Sequence, residues 1–187
     1  MIARGFVENG ARTYITARTE ETCRSTAEVL SAYGDCIAIP ADLSTLEGIQ
    51  QFAQTFASRE EKLDILVNNA GYMKSRQTYE SLSAAVEQFG EADWDRAMDI
   101  NLKGLFFLTQ QLLPALKQAA HVDDPARVIN IASNAGIIPP HRHTDYAYTS
   151  SKGGVINLTR HLAMSLADDK ITVNTISPGL FTTEMTK

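Results

Sequence analysis

Residues 63–71 read Leu-Asp-Ile-Leu-Val-Asn-Asn-Ala-Gly. The run Leu63–Val67 is too short for an ordinary helix, is mostly apolar and runs into turn-forming residues, so it reads as a buried strand. Upstream of it, Thr45–Ser58 is helical, Cys36–Ile39 a strand, Glu20–Tyr33 a helix stopped by Gly34, and Thr13–Ala17 a strand. The chain opens on a helical stretch, Ile2 to Gly10, with Ile2 and Phe6 on one face and Gly10 as its stop. Downstream, helical patterns cover 84–90 and the chain from Asp93 through Asn101 to Lys117, with a break expected near Asn101 and Gly104. Val128–Ala132 is a strand, Tyr148–Ala167 a helix and Ile171–Thr175 a strand. Strands and helices alternating in this way predict parallel βαβ units, a doubly wound parallel sheet in a single α/β domain over 1–187.

Composition sets the outer limits. The chain has 187 residues, 44% of them apolar, and a net charge of −5, which argues against nucleic acid or an anionic membrane as the main partner. Its two cysteines, Cys23 and Cys36, lack metal-ligand spacing and read as buried thiols in a reducing compartment; no metal site is expected. The first residues, Met-Ile-Ala-Arg-Gly-Phe, lack the apolar core of a signal peptide, and Ile100–Leu108 is too short and too interrupted to span a bilayer. A cytoplasmic location is the resulting expectation.

In open α/β sheets, ligands gather beyond the carboxyl ends of the strands. Those ends carry Arg18, Asp42, Asn68 to Gly71, Ser133 and the pair Pro178-Gly179. Arg18 is placed to hold a ribose 2′-phosphate, or else is a solvated charge paired with Glu20 or Glu21. Asp42 contacts a ligand or caps the helix that starts near Thr45, for which Ser44 is the better cap. Asn68-Asn69-Ala70-Gly71 pairs two amides with a small residue and a glycine, which allows a flat ligand close to the backbone, or forms a turn. Ser133 presents its hydroxyl to a substrate oxygen or serves a turn.

The segment Tyr146-Ala-Tyr-Thr-Ser-Ser-Lys152 heads the next helix, whose stripe is Val155, Leu158, Leu162 and Leu166. Tyr148 and Lys152 are four apart, so phenol and ammonium share a helix face. At about 4 Å and an effective dielectric near 20, such a cation stabilises a phenolate by about 4 kcal/mol.

Asn-Asn-Ala-Gly at 68–71, Asn101, Ser133, Tyr148-x-x-x-Lys152 and Pro178-Gly179 together resemble the short-chain dehydrogenases/reductases, in that family's order and near its spacing. Within it, 30–42 and 126–133 look similar to the 3-oxoacyl-acyl-carrier-protein reductase type associated with rhamnolipid synthesis. The resemblance implies a Rossmann-like, NAD(P)-binding domain with NADP(H) favoured over NAD(H) by Arg18. It implies catalytic roles for Asn101, Ser133, Tyr148 and Lys152. Tyr148 would protonate the carbonyl, Lys152 would assist it and hold ribose hydroxyls, Ser133 would bind the substrate oxygen, and Asn101 would hold a water. Asp42 and Leu43 would meet the adenine; Asn69, Ala70 and Gly71 would line the cofactor cleft; Pro178, Gly179 and Thr183 would edge the nicotinamide. A homodimer or homotetramer would form through the Asn101 and Tyr148 helices.

The expected activity is reduction of a ketone, with a 3-oxoacyl thioester as one candidate, to a secondary alcohol. The chain departs from the family in three ways. The opening strand with its Thr-Gly-x-x-x-Gly-x-Gly turn is absent, as are the substrate lid and last strand, and Ser133 to Tyr148 spans two residues more than usual. With an implied strand order of 3-2-1-4-5-6-7, the missing first strand would leave an unpaired seam. NADPH binding would be impaired without a helix N-terminus for the pyrophosphate. The alternative expectations are an epimerase or dehydratase using the same Tyr–Lys pair, and a truncated, impaired chain acting at most as an interaction partner.

Overall fold

The computed structural model describes residues 2–74, 79–138 and 145–179. The chain divides into two compact units, Met1–Glu60 and Glu61–Lys187.

The first unit runs α1 (Ile2–Glu8), β1 (Thr13–Ile15), α2 (Glu20–Leu30), β2 (Cys36–Ala38) and α3 (Leu46–Ala57). Gly10 ends α1 as anticipated, at φ +82°, where its N–H bonds the Val7 carbonyl and the next N–H bonds that of Phe6. That left-handed cap is costly for any residue with a Cβ. The buried face of α1 is not the one expected: Val7 is 1% exposed while Ile2 is 43% exposed. Val7 packs with Ala27 and Cys36, because α2 and β2 meet α1 on the side Val7 occupies. Strands β1 and β2 pair in parallel, Thr13 opposite Cys36. Both cysteines are free and buried, and desolvation pushes both thiols up, so neither is a ready nucleophile. Thr45, not Ser44, caps α3 by accepting from the Gly48 N–H at 3.1 Å. Ser44 is drawn away because its N–H and hydroxyl both donate to the Asp42 carboxylate, at 2.9 and 2.6 Å.

The second unit runs β3 (Ile65–Asn68), α4 (Leu82–Glu87), α5 (Glu91–Met98), a π turn (Asp99–Lys103), α6 (Gly104–Ala119), β4 (Ala126–Ile131), a 3₁₀ turn (Asn134–Gly136), α7 (Tyr146–Leu166) and β5 (Ile171–Ile176). Strands β3, β4 and β5 form a parallel sheet in that order. Helix α6 packs on β3 and β4, and α7 on β4 and β5. The break foreseen near Asn101 is the π turn, a widened turn of a kind frequent at functional sites. Leu105, Ala132 and Val155 form a core cluster with Leu102, Ile156 and Leu158 against it. The stripe of α7 differs from the apolar reading. Its buried positions are Ala147, Ser151, Lys152, Val155, Thr159 and Leu166, with Leu158 and Leu162 only half-buried.

Among the described residues the strands form one two-stranded and one three-stranded sheet, and within each the pairing is parallel, as an α/β Rossmann-like fold requires.

Candidate active site

The two adjacent amides at the end of β3 part company. Asn68 is 6% exposed and opposite Asn130 in the sheet register, whereas Asn69, Ala70 and Gly71 are exposed. Asn68 donates to the Asn130 Oδ1 at 2.9 Å and the Thr109 hydroxyl at 3.1 Å, and Asn130 donates to the Thr159 hydroxyl at 3.0 Å. The two threonines spend their own protons on the Leu105 and Val155 carbonyls, one helical turn back. That fixes every donor's direction along the row and ties β3 and β4 to α6 and α7 with buried hydrogen bonds. The Asn68 Oδ1 has no partner among the described residues. Asn130, Thr109 and Thr159 are invisible to a search for apolar periodicity, since polar residues occupy core positions.

Beyond Gly71 the chain is held at several points. The Asn101 amide, 1% exposed, accepts from the Tyr72 N–H at 2.7 Å and donates to the Tyr72 carbonyl and the Ser151 hydroxyl, both at 2.9 Å. Its two N–H donors are thus spent on protein, so any water at Asn101 must take its main-chain oxygen or the remaining Oδ1 lone pair. Asp93 on α5 accepts from the Tyr72 hydroxyl at 3.2 Å and pairs with the Lys74 ammonium at 2.7 Å. The hydrogen bond with Lys74 holds the Asp93 carboxyl below its ordinary range and the lysine above its own. Arg96 lies over the Tyr72 ring, with its guanidinium carbon 4.3 Å from the centroid. Lys74 N–H donates to the second oxygen of Asp145 at 2.9 Å, while the first oxygen caps α7 by accepting from the Tyr148 N–H at 3.0 Å. Asp145, Asp93 and Tyr72 escaped the sequence reading, although an aspartate three residues before Tyr148 is an N-cap signal.

Lys152 is 5% exposed and donates to the Ile131 carbonyl at 2.7 Å. Its ammonium lies 5.8 Å from the centroid of the half-buried Tyr148 ring. Burial pushes the Lys152 pKa down to about 8, so near pH 7 most of the population still carries the charge. A lysine has three donors and one is spent on Ile131. A Cβ added at Gly71 would come within 3.7 Å of the ammonium, so the bare glycine keeps an approach to the other two donors open. That space and those donors suit the vicinal hydroxyls of a ribose.

Ser133, 8% exposed, accepts from the Ala135 N–H at 3.2 Å and so opens the 3₁₀ turn. Gly136 closes that turn against α7: a Cβ there would lie 2.6 Å from the Lys152 carbonyl carbon and from the Gly153 nitrogen. The turn after Ser133 is therefore packed onto the backbone of the Tyr148–Lys152 segment. The Ser133 and Tyr148 hydroxyls are not hydrogen-bonded to each other among the described residues. Pro178 accepts from the Asn134 N–H at 3.0 Å, which sets Pro178 and the exposed Gly179 beside this turn. Thr183 and the loop 139–144, expected to absorb the two extra residues, lie outside the described residues.

In the first unit, Arg18 follows β1 and is exposed; the expected partner Glu20 pairs with Arg24 at 2.8 Å instead. No ion pair to Arg18 occurs among the described residues. Asp42 and Leu43 follow β2 and are half-buried. Also among the described residues, no group of three or more His, Cys, Asp or Glu side chains could hold a metal ion, and no helix is long and apolar enough to cross a membrane.

Residues 1–187 match the family model described as short chain dehydrogenase. The chain is 46% identical over 187 residues to the rhamnolipids biosynthesis 3-oxoacyl-[acyl-carrier-protein] reductase of Pseudomonas aeruginosa, covering all of this chain and 70% of that protein. It is 33% identical over 181 residues to the (2S)-[(R)-hydroxy(phenyl)methyl]succinyl-CoA dehydrogenase subunit BbsD of Thauera aromatica, covering 96% of this chain and 67% of the relative. Among solved structures, the Pseudomonas aeruginosa RhlG/NADP active-site complex superposes with a TM-score of 0.91 at 44% identity, over 99% of this chain and 69% of that one.

Proposed function

Because the chain belongs to the short-chain dehydrogenase family, we propose that it serves an NADP(H)-dependent oxidoreductase that interconverts a ketone and a secondary alcohol. A 3-oxoacyl thioester is the proposed substrate class, supported by the 46% identity to a 3-oxoacyl-[acyl-carrier-protein] reductase. The observation that carries the reading is Lys152, a buried ammonium one helical turn from Tyr148 with one donor spent and the Gly71 approach open to the rest.

A bound nicotinamide would supply the hydride; the protein's own residues handle protons and position. Tyr148 gives its phenolic proton to the carbonyl oxygen, or takes one from the alcohol in the reverse direction. The cation of Lys152 favours the phenolate left behind. Ser133 binds the substrate oxygen by its hydroxyl. Asn101 holds the loop at Tyr72 to Ser151 on α7, and so keeps the Gly71 approach in place beside Lys152. Asn69, Ala70, Gly71, Pro178, Gly179 and Thr183 are the proposed cofactor contacts of the second unit, and Arg18, Asp42 and Leu43 those of the first.

Arg18 is the proposed reader of the 2′-phosphate, as an exposed guanidinium free of a carboxylate partner among the described residues. Arg18→Ala should weaken NADPH about tenfold, the scale of one charge-assisted hydrogen bond, and leave NADH within about twofold. Fluorescence titration with both nucleotides checks this. Equal losses for NADPH and NADH would remove Arg18 as the discriminator. The wider proposal is tested by following NADPH oxidation with a 3-oxoacyl-CoA as substrate. Nucleotide binding without turnover on any ketone would reject the reductase reading.

A second copy of the chain is the proposed partner, through the Asn101 and Tyr148 helices. An open groove of about 510 Å³ runs between the π turn with α6 and the face of α7, lined by Met98, Leu102, Phe106, Phe107 and Leu158. Phe106→Glu should give a smaller species by sedimentation with the far-UV spectrum unchanged, since a charge in an apolar interface is costly. An unaltered sedimentation coefficient would place the assembly elsewhere.

A further inference from the structure

We infer that Asp145 is a positioning residue: its carboxylate, shared between the N–H groups of Tyr148 and Lys74, sets the spacing between the Gly71–Lys74 loop and the head of the Tyr148 helix. The inference rests on the reading of Tyr148 as the proton donor.

One oxygen suffices for an N-cap. The other side-chain caps among the described residues, Thr45, Ser81 and Ser133, each use a single hydroxyl. Helix α7 is instead capped by a carboxylate whose Oδ1 accepts from Tyr148 at 3.0 Å and whose Oδ2 accepts from Lys74, 71 positions away, at 2.9 Å. The loop end of this bridge is already firm. Asn101 holds both backbone groups of Tyr72, and Asp93 takes the side chains of Tyr72 and Lys74. The lower turn of α7 is firm as well, through Lys152 on Ile131 and Ser151 under Asn101. The first turn, which carries Tyr148, has Asp145 as its backbone link to the loop. The two N–H groups are met by different oxygens of the carboxylate, so a side chain with a single acceptor oxygen could serve both only if loop and helix moved towards one another.

Asp145→Asn separates these roles, because asparagine caps as well as aspartate but its NH₂ cannot accept from a second N–H. Amide exchange by NMR should show either Lys74 or Tyr148 losing about tenfold in protection while the other stays within about threefold. The melting temperature should hold to within about 3 °C, since a cap is retained. With NADPH and a ketone substrate, kcat should fall about tenfold while the KM for NADPH stays within about threefold, the pattern of a misplaced proton donor. Asp145→Ser, a cap of the same rank, should behave like Asp145→Asn, whichever of the two folds better. Full protection of both amides in these variants would overturn the inference, as would loss of one amide's protection with kcat unchanged. If the wild-type protein turns over no ketone, the proposed function fails, and the exchange measurement alone still decides whether the carboxylate bridges loop and helix.

Discussion

Tyr148→Phe is expected to lower kcat by about a thousandfold, within the range that a positioned general acid contributes. That factor corresponds to about 4 kcal/mol of transition-state stabilisation. The affinity for NADPH should change by less than about twofold, since the phenol's proton is used in the chemical step rather than to bind the nucleotide. The ring is half-buried and α7 is capped through the Tyr148 backbone, not its hydroxyl, so the fold loses little. Steady-state kinetics and nucleotide titration on the same preparation check both halves. A Phe variant with more than about a tenth of wild-type turnover would assign the proton to another group.

Lys152→Met is expected to have two large effects, one on turnover and one on the pH dependence of stability. The ammonium is buried, and desolvation brings its folded pKa to about 8, below the ordinary 10.5 of an unfolded chain. Between those values the unfolded state binds the extra proton, so stability rises with pH across that window. Below pH 8 both states carry the charge and the full burial penalty remains. The penalty amounts to about 3 kcal/mol from a shift of this size. Urea unfolding should therefore show the wild type gaining roughly 3 kcal/mol over Lys152→Met between pH 8 and 10.5, with the ionisation of tyrosines and cysteines remote from Lys152 cancelling in the difference. A difference that stays flat over this range would mean the ammonium is not desolvated. In turnover, kcat/KM for ketone reduction should decline above about pH 8 as the free protein loses this cation.

The fold is largely legible in the sequence. A run such as Leu63–Val67, set between helical stretches and closed by Asn-Asn-Ala-Gly, points to a parallel sheet because strand length and helix period are local properties. The break at Asn101 was legible for the same reason, though its form as a π turn was not. Errors fell where a neighbour outranked the local pattern. Val7 took the buried place expected of Ile2, because α2 and β2 lie on its side of α1. Ser44 lost the cap of α3 to Thr45, because Asp42 had claimed it.

The candidate site divides along the same line. Tyr148 and Lys152 could be placed on one helix face from the number of residues between them, since the pitch of a helix fixes that relation wherever it sits. Burial, in contrast, depends on everything packed around a group. Which of Asn68 and Asn69 is sunk in the core, and how far Lys152 is stripped of water, were decided only once β3, β4, α6 and α7 closed over them. So too were the partners of Asn101 and Asp145, 29 and 71 positions away along the chain, because no local periodicity records a contact over such distances.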